Sequence, residues 1–183
     1  YTMACWIKPD AASFNGDRFI FGQGSQGIHH GFRGGSLYHA HWGADFRGQT
    51  ALNADEWTHL TFTYDSESSR GAIYVNGEFD MEMPNQQGPN GGGGIIIGGR
   101  NGGSQNYVGL IDDLAMWQSV LDDDLILGLA GGLSPSGRDA DDEDEDGLPD
   151  FYEEKLVDNL EDLNGNGAGP GPGAGTGDFD GDG

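Results

Sequence analysis

The chain has 183 residues but one cysteine, and only 8 lysines and arginines against 31 aspartates and glutamates. A lone cysteine cannot close an internal disulfide. Cys5 sits in an alternating apolar run and reads as a buried free thiol, so cysteine usage leaves the compartment open. With a formal net charge of −23 and no basic stripe, nucleic acid is excluded as a partner. No run approaches the roughly 18 apolar residues of a membrane span. The run from Tyr1 does not read as a signal peptide, and Tyr1 does not read as a native start, so what precedes it stays open. Two catalytic signatures, G-x-S-x-G and H-E-x-x-H, are absent. The glycine-rich stretches 91–94 and 98–103 lack the strand–helix context of a phosphate loop and read as surface loops.

What is abundant is acid, and it is unevenly placed. Residues 1–133 carry 15 acidic and 6 basic side chains; residues 134–183 carry 16 and 2. A segment as charged as the second cannot fold on apolar burial alone and needs cations to order it. Its spacing supplies the means. Asp142, Asp144, Asp146, Gly147, Asp150 and Glu153 occupy positions 1, 3, 5, 6, 9 and 12 of a twelve-residue loop. That spacing is the calcium pattern D-x-D-x-D-G-x-x-D-x-x-E. Calcium (Ca2+) takes about six to eight oxygen ligands, and the glycine lets the loop curl around it. Leu148 would add its main-chain carbonyl and Glu153 a bidentate carboxylate. Asp162, Asn164 and Asn166 begin the same pattern before Gly167, but Gly173 stands where the final glutamate belongs. Asp178, Asp180 and Asp182 begin a third loop that ends with the chain at Gly183, so the region is expected to be truncated. Carboxylate-rich sites with no switch element suit the high calcium outside cells.

The first 118 residues read as strands. Tyr1–Lys8, Arg18–Gly22, Gly27–Arg33, Leu37–Trp42, Trp57–Tyr64, Ala72–Val75, Glu78–Glu82, Ile95–Ile97 and Tyr107–Trp117 are short β-rich runs between glycine-rich turns. In Trp57–Tyr64, Leu60, Phe62 and Tyr64 face one way and Trp57, His59, Thr61 and Thr63 the other. Asn76-Gly77 is a strong hairpin signal. Leu121–Leu129 is a short helix opened by Asp122, Asp123 and Asp124 and ended by Gly131-Gly132. These features predict an all-β, two-sheet antiparallel jelly-roll sandwich over residues 1–133, a linker at 134–138, and a small calcium-loop and helix appendage over 139–183.

The ordered motifs carry a family likeness. Ala4-Cys-Trp-Ile-Lys-Pro9, Glu56-Trp-Thr-His-Leu-Thr-Phe-Thr-Tyr-Asp65, Ile73-Tyr-Val-Asn-Gly77 and Gly109-Leu-Ile-Asp-Asp-Leu-Ala-Met-Trp117 come in sequence, followed by the short helix. The set resembles laminin-G-like, concanavalin A-like jelly rolls. The resemblance implies glycan or protein recognition, often in adhesion. It also implies a strand ahead of the run that starts at Tyr1; either the fragment is cut there, or the C-terminal segment or a neighbouring chain is expected to fill that edge. The tail, with its loop and the run Phe151–Leu160, resembles thrombospondin type 3 or dockerin-like calcium repeats, which often follow jelly rolls in large secreted bacterial proteins. In that run Tyr152, Leu156 and Leu160 share one helical face.

Candidate ligand residues follow from strand parity. His29, Arg33, His39 and His41 have the parity of one sheet face, with Asp45 and Arg47 nearby. Ile28, His30, Phe32, Tyr38, Ala40 and Trp42 then face the other way. Such a polar face suits a sugar or sulfate, and His29, His39 and His41 together suit a transition metal. Asp112 and Asp113 offer carboxylates beside the closing strand, either for a calcium ion in the jelly roll or as plain turn and edge solvation. Glycosidases of this jelly-roll class use an E-x-D-x-x-E strand, and none occurs here, so the chain reads as non-enzymatic. Three functions stay open. The chain is a calcium-binding extracellular or cell-surface module for glycan or a surface protein, a structural repeat of a fibre that self-associates, or an accessory domain of a secreted carbohydrate-active enzyme.

Overall fold

The computed structural model describes residues 1–25, 27–100 and 105–135. The chain divides into two units, Tyr1–Gly131 and Gly132–Gly183. The first unit is a sandwich of two five-stranded antiparallel sheets. Its strands are β1 (Thr2–Pro9), β2 (Asp17–Gly22), β3 (His29–Arg33), β4 (Ser36–His41), β5 (Ala44–Arg47), β6 (Thr58–Asp65), β7 (Arg70–Val75), β8 (Glu78–Met83), β9 (Ile96–Ile97) and β10 (Gly109–Trp117). One helix, α1 (Asp123–Ala130), follows. The first sheet has the order β10-β1-β6-β7-β8 and the second β5-β4-β3-β2-β9.

Alternation decides which side chains meet between the sheets. Met3, Cys5 and Ile7 of β1, Leu60 and Phe62 of β6, and Ile73 and Val75 of β7 point inward from the first sheet. Ile20, Phe21, Phe32 and Leu37 answer from the second. Phe21 meets Phe62 edge-on across the core, with ring centroids 6.2 Å apart. Cys5 is fully buried, and burial pushes its thiol well above the ordinary range, so it is a packing residue and not a nucleophile.

Turns and caps follow local chemistry. At the β7–β8 hairpin Asn76 (φ +50°) and Gly77 (φ +81°) both adopt left-handed backbone, as a two-residue turn that matches strand twist requires. Asn76 also ties the turn to β6, its side-chain oxygen accepting from the His59 N–H at 2.9 Å. Asp122 caps α1 by accepting from the Leu125 N–H at 2.8 Å, and Asp123 and Asp124 fill the first turn. The helix buries Ile126 and Leu129. Tyr74 of β7 donates to Asp123 at 2.9 Å.

Gly77 lies directly under α1. A Cβ there would sit 2.8 Å from Leu127 Cδ1 and 2.9 Å from Leu127 Cα. Gly77→Ala should therefore cost about 2–4 kcal/mol, combining left-handed strain with displacement of the helix. Urea unfolding of the variant against the parent chain measures it.

Candidate functional site

The β3–β4 hairpin decides where the histidines go. Gly34 (φ +57°) and Gly35 (φ +84°) form a two-residue turn, which pairs Arg33 with Ser36, Phe32 with Leu37 and Gly31 with Tyr38. Odd residues of β3 therefore sit opposite even residues of β4, and partners across a ladder share a face. The expectation that His29, Arg33, His39 and His41 share one face is corrected. His30, His39 and His41 turn inward with Phe32 and Leu37. His29, Arg33, Tyr38 and Ala40 turn outward. The reason is the length of the turn, which moves the register by one and swaps every side chain in the pair.

The inward histidines are hydrogen-bonded in two groups, His30 and His41 through Tyr1, and His39 through Thr63 and Gln86. His30 Nδ1 accepts from the Ala40 N–H at 3.1 Å, so its proton sits on Nε2. That Nε2–H donates to the Tyr1 hydroxyl at 3.0 Å. The Tyr1 hydroxyl donates to His41 Nε2 at 2.6 Å, and His41 Nδ1–H donates to the Gln87 carbonyl at 2.8 Å. His39 Nε2–H donates to the Thr63 carbonyl at 2.9 Å, and its Nδ1 accepts from the Gln86 amide at 3.1 Å. Ring nitrogens of the three come within 4.8 Å of one another, which is metal-like proximity. Proximity is not ligation, because a metal needs a lone pair from each ring. In this arrangement His30 spends its lone pair on the Ala40 N–H, and both nitrogens of His39 are engaged. The expected metal set of His29, His39 and His41 is thus overturned, since His29 lies on the opposite face from the other two.

The outward face holds a second cluster. Arg33 Nε pairs with Asp17 at 3.2 Å and its NH1 with Asp45 at 3.5 Å. The Arg33 guanidinium lies 3.9 Å over the Tyr38 ring, and the Tyr38 hydroxyl bonds both Arg33 and Asp45. His29 Nε2 stands 3.8 Å from Asp45, and Phe19 meets the His29 ring edge-on at 5.4 Å. Arg47 pairs opposite Tyr38 at the exposed end of β5. Of the six expected ligand residues, this face brings together His29, Arg33, Asp45 and Arg47. Sequence reasoning missed Tyr38, which the turn length would have placed there, and Asp17, which reaches the face only through the pairing of β2 with β3.

A third constellation lies on the first sheet. Trp6 of β1 pairs with Asp112 of β10 on one side and with His59 of β6 on the other, so all three point outward in one row. Trp6 and Trp57 form the walls of an open groove of about 300 Å³, completed by Asp112 and Asp113. That volume is at the lower end of the range for small-molecule sites. Consecutive strand residues normally point to opposite faces. Here the β1–β10 ladder shifts register between Ala4 and Trp6, and Asp113 takes left-handed backbone (φ +45°). This bulge turns both carboxylates toward the groove. Trp57 is 44% exposed, and no ion pair reaches either aspartate among the described residues. His59 is 2% exposed and meets Trp6 edge-on at 5.4 Å, and its Nδ1 has no hydrogen-bond partner among the described residues. Burial pushes its imidazole down to about 4. The outward parity of Trp6, opposite the core residues Cys5 and Ile7, was the sequence signal for this groove.

The expected calcium ligands Asp142, Asp144, Asp146, Leu148, Asp150, Glu153, Asp162, Asn164, Asn166, Asp178, Asp180 and Asp182 lie outside the described residues.

A family model described as the concanavalin A-like lectin/glucanases superfamily, of laminin-G type, matches residues 1–127. The chain belongs to this superfamily. The match stops short of the acidic segment, whose likeness to calcium repeats rests on spacing alone. No curated protein matches the chain. Among solved structures it resembles domain 4 of AbnA, an extracellular GH43 arabinanase of Geobacillus stearothermophilus, in complex with arabinotriose. That match has 20% identity and a TM-score of 0.56, over 70% of this chain and 65% of the other. It also resembles the CBM40 of a Ruminococcus gnavus sialidase bound to α2,3-sialyllactose, at 18% identity and TM-score 0.56, over 71% and 82%. A candidate carbohydrate-binding protein of Bacteroides ovatus aligns at 24% identity and TM-score 0.57, over 69% of this chain and 39% of its own. At these identities the likeness establishes the fold, and the chain spans less than half of the Bacteroides protein.

The buried imidazoles make stability depend on pH in a defined direction. Burial, then neighbouring histidines, holds His30 and His39 well below the ordinary value of about 6.5; burial also lowers His41 and His59. The folded state keeps these rings neutral, whereas the unfolded chain takes up protons near pH 6.5. Stability is therefore full above that pH and is lost as pH falls below it. Each ring that stays neutral contributes about 1.4 kcal/mol between pH 7.5 and 5.5. The unfolding free energy should fall by about 3–5 kcal/mol over that range, above the region where carboxylates titrate. Urea unfolding at the two pH values measures the drop.

Proposed function

We propose that this chain is a non-catalytic glycan-recognition module that works outside the cell, with a calcium-binding acidic segment following it. The observation that carries the reading is the groove of Trp6, Trp57, Asp112 and Asp113. A sugar ring presents a C–H face that packs on an indole and a rim of hydroxyls that donate to carboxylates. The groove offers both, on an open surface. The polar face of the second sheet is the weaker candidate, because Arg33 already engages Asp17, Asp45 and Tyr38. A ligand there would have to break those contacts first. Arrangement also favours binding over hydrolysis. Glycosidases place two acids on either side of the scissile bond, whereas Asp112 and Asp113 are neighbours on one bulge.

The superfamily and the carbohydrate-binding character named for its structural neighbours support the same reading. Self-association has one observation in its favour. β10 closes an edge of the first sheet with Leu110 57% and Met116 48% exposed. Sizing the protein during the binding experiment separates the two, because a fibre subunit would assemble without glycan.

A glycan array, followed by calorimetric titration of the best binder, tests the central reading. Trp57→Ala should weaken binding at least about tenfold through loss of stacking, with the unfolding midpoint nearly unchanged. A fully active variant would move the site elsewhere. For the acidic segment, calcium titration of the whole chain should show at least one site, weakened in Glu153→Gln by loss of the bidentate ligand. Absence of any calcium uptake would reduce the segment to a solvated acidic run.

A further inference from the structure

We infer that the Trp6–Trp57 groove selects uncharged sugars or protonated amino sugars and rejects sugars that carry a carboxylate or sulfate. The inference rests on the glycan-binding reading above and names the ligand class of that same site.

Its basis is the bulge at Asp113. In a regular strand one of two consecutive aspartates would point toward the core and the other toward solvent. The left-handed turn at Asp113 directs both to the groove, and the Asp113 N–H donates to Asp112 Oδ1 at 2.9 Å, which holds the pair in place. Left-handed backbone is an unfavourable conformation for a residue with a side chain. The fold thus maintains a costly geometry whose result is two carboxylates on one wall.

Lys8, two residues from Trp6 on the same face of β1, is the neighbouring basic side chain and is not part of the lining. The lining contains no basic side chain, and no ion pair reaches either aspartate among the described residues. His59, beside Trp6, is neutral at physiological pH and adds no positive charge. The indole faces carry negative quadrupole density, which further favours a positive or neutral group. By contrast the carboxylates on the second sheet, Asp17 and Asp45, share Arg33. The two faces therefore differ in the charge they present to a ligand: Arg33 bonds both acids of the second sheet, whereas no ion pair among the described residues reaches the acids of the groove.

The size of the effect follows from Coulomb's law. An anionic group about 6 Å from two carboxylates, through water, loses about tenfold in affinity. The penalty shrinks as salt shortens the screening length to a few ångströms.

The test compares arrayed neutral glycans with their sialylated, uronic acid and sulfated counterparts, alongside chitosan oligomers, at about 0.05 M and 1 M salt. Neutral and amino-sugar probes should bind, and each anionic counterpart should be at least about tenfold weaker at low salt, with the gap narrowing at high salt. Asp112→Asn with Asp113→Asn reads the same charge by substitution. The first keeps an oxygen for the Asp113 N–H, and asparagine tolerates left-handed backbone well. The ratio of neutral to anionic affinity, whatever the absolute affinities, should move toward one. Anionic glycans bound as tightly as neutral ones, or a ratio indifferent to salt and to the double variant, would overturn the inference while leaving glycan binding intact. Binding of no glycan from either set would remove the glycan reading itself.

Discussion

The structure depends on the double pairing of β1. This strand lies inside the first sheet, bonded to β6 on one edge and to β10 on the other. One set of its side chains, Met3, Cys5 and Ile7, anchors the core. The opposite set puts Trp6 in a row with His59 and Asp112. Core and groove are thus two faces of one register. A slip by one residue would send Trp6 inward and Cys5 outward and would dissolve both. The bulge toward β10 is the one irregularity in this pairing, and it gathers the two carboxylates.

The second sheet shows the same logic with opposite chemistry. Its hairpin turn sends three imidazoles inward, where Tyr1, Gln86 and backbone carbonyls satisfy them as neutral rings. A core that contains so many titratable groups is stable only while each keeps its assigned proton. Outward, the sheet pairs its charges internally. Polar side chains there satisfy one another, whereas those of the groove remain available to a partner. That contrast, more than the number of charged residues on either face, separates a structural cluster from a candidate binding site.

Much of this was legible in the residues. Alternation in Trp57–Tyr64 placed Leu60 and Phe62 in the core, Asn76-Gly77 marked its hairpin, and the aspartates ahead of Leu125 marked the start of α1. Strand β5 was not legible, because Ala44–Arg47 is four residues long and lacks a clear alternating pattern. The histidine faces were misassigned because parity within a strand says nothing about the partner until the turn length is counted. The groove was half legible. Outward parity of Trp6 could be read locally, but the approach of Asp112 and Asp113 needs pairing across more than a hundred residues and a bulge that no local pattern announces. The calcium spacing, the plainest motif in the sequence, lies outside the described residues.

The most direct test of the account is to follow the indole N–H signals by NMR while a neutral glycan from the array is titrated in. The chain has four tryptophans, of which Trp42 and Trp117 lie outside the groove lining. Trp6 and Trp57 should shift together and saturate at the same glycan concentration, with Trp42 and Trp117 unmoved. Saturable shifts confined to the Tyr38 and Arg33 face, with Trp6 and Trp57 unchanged, would contradict it.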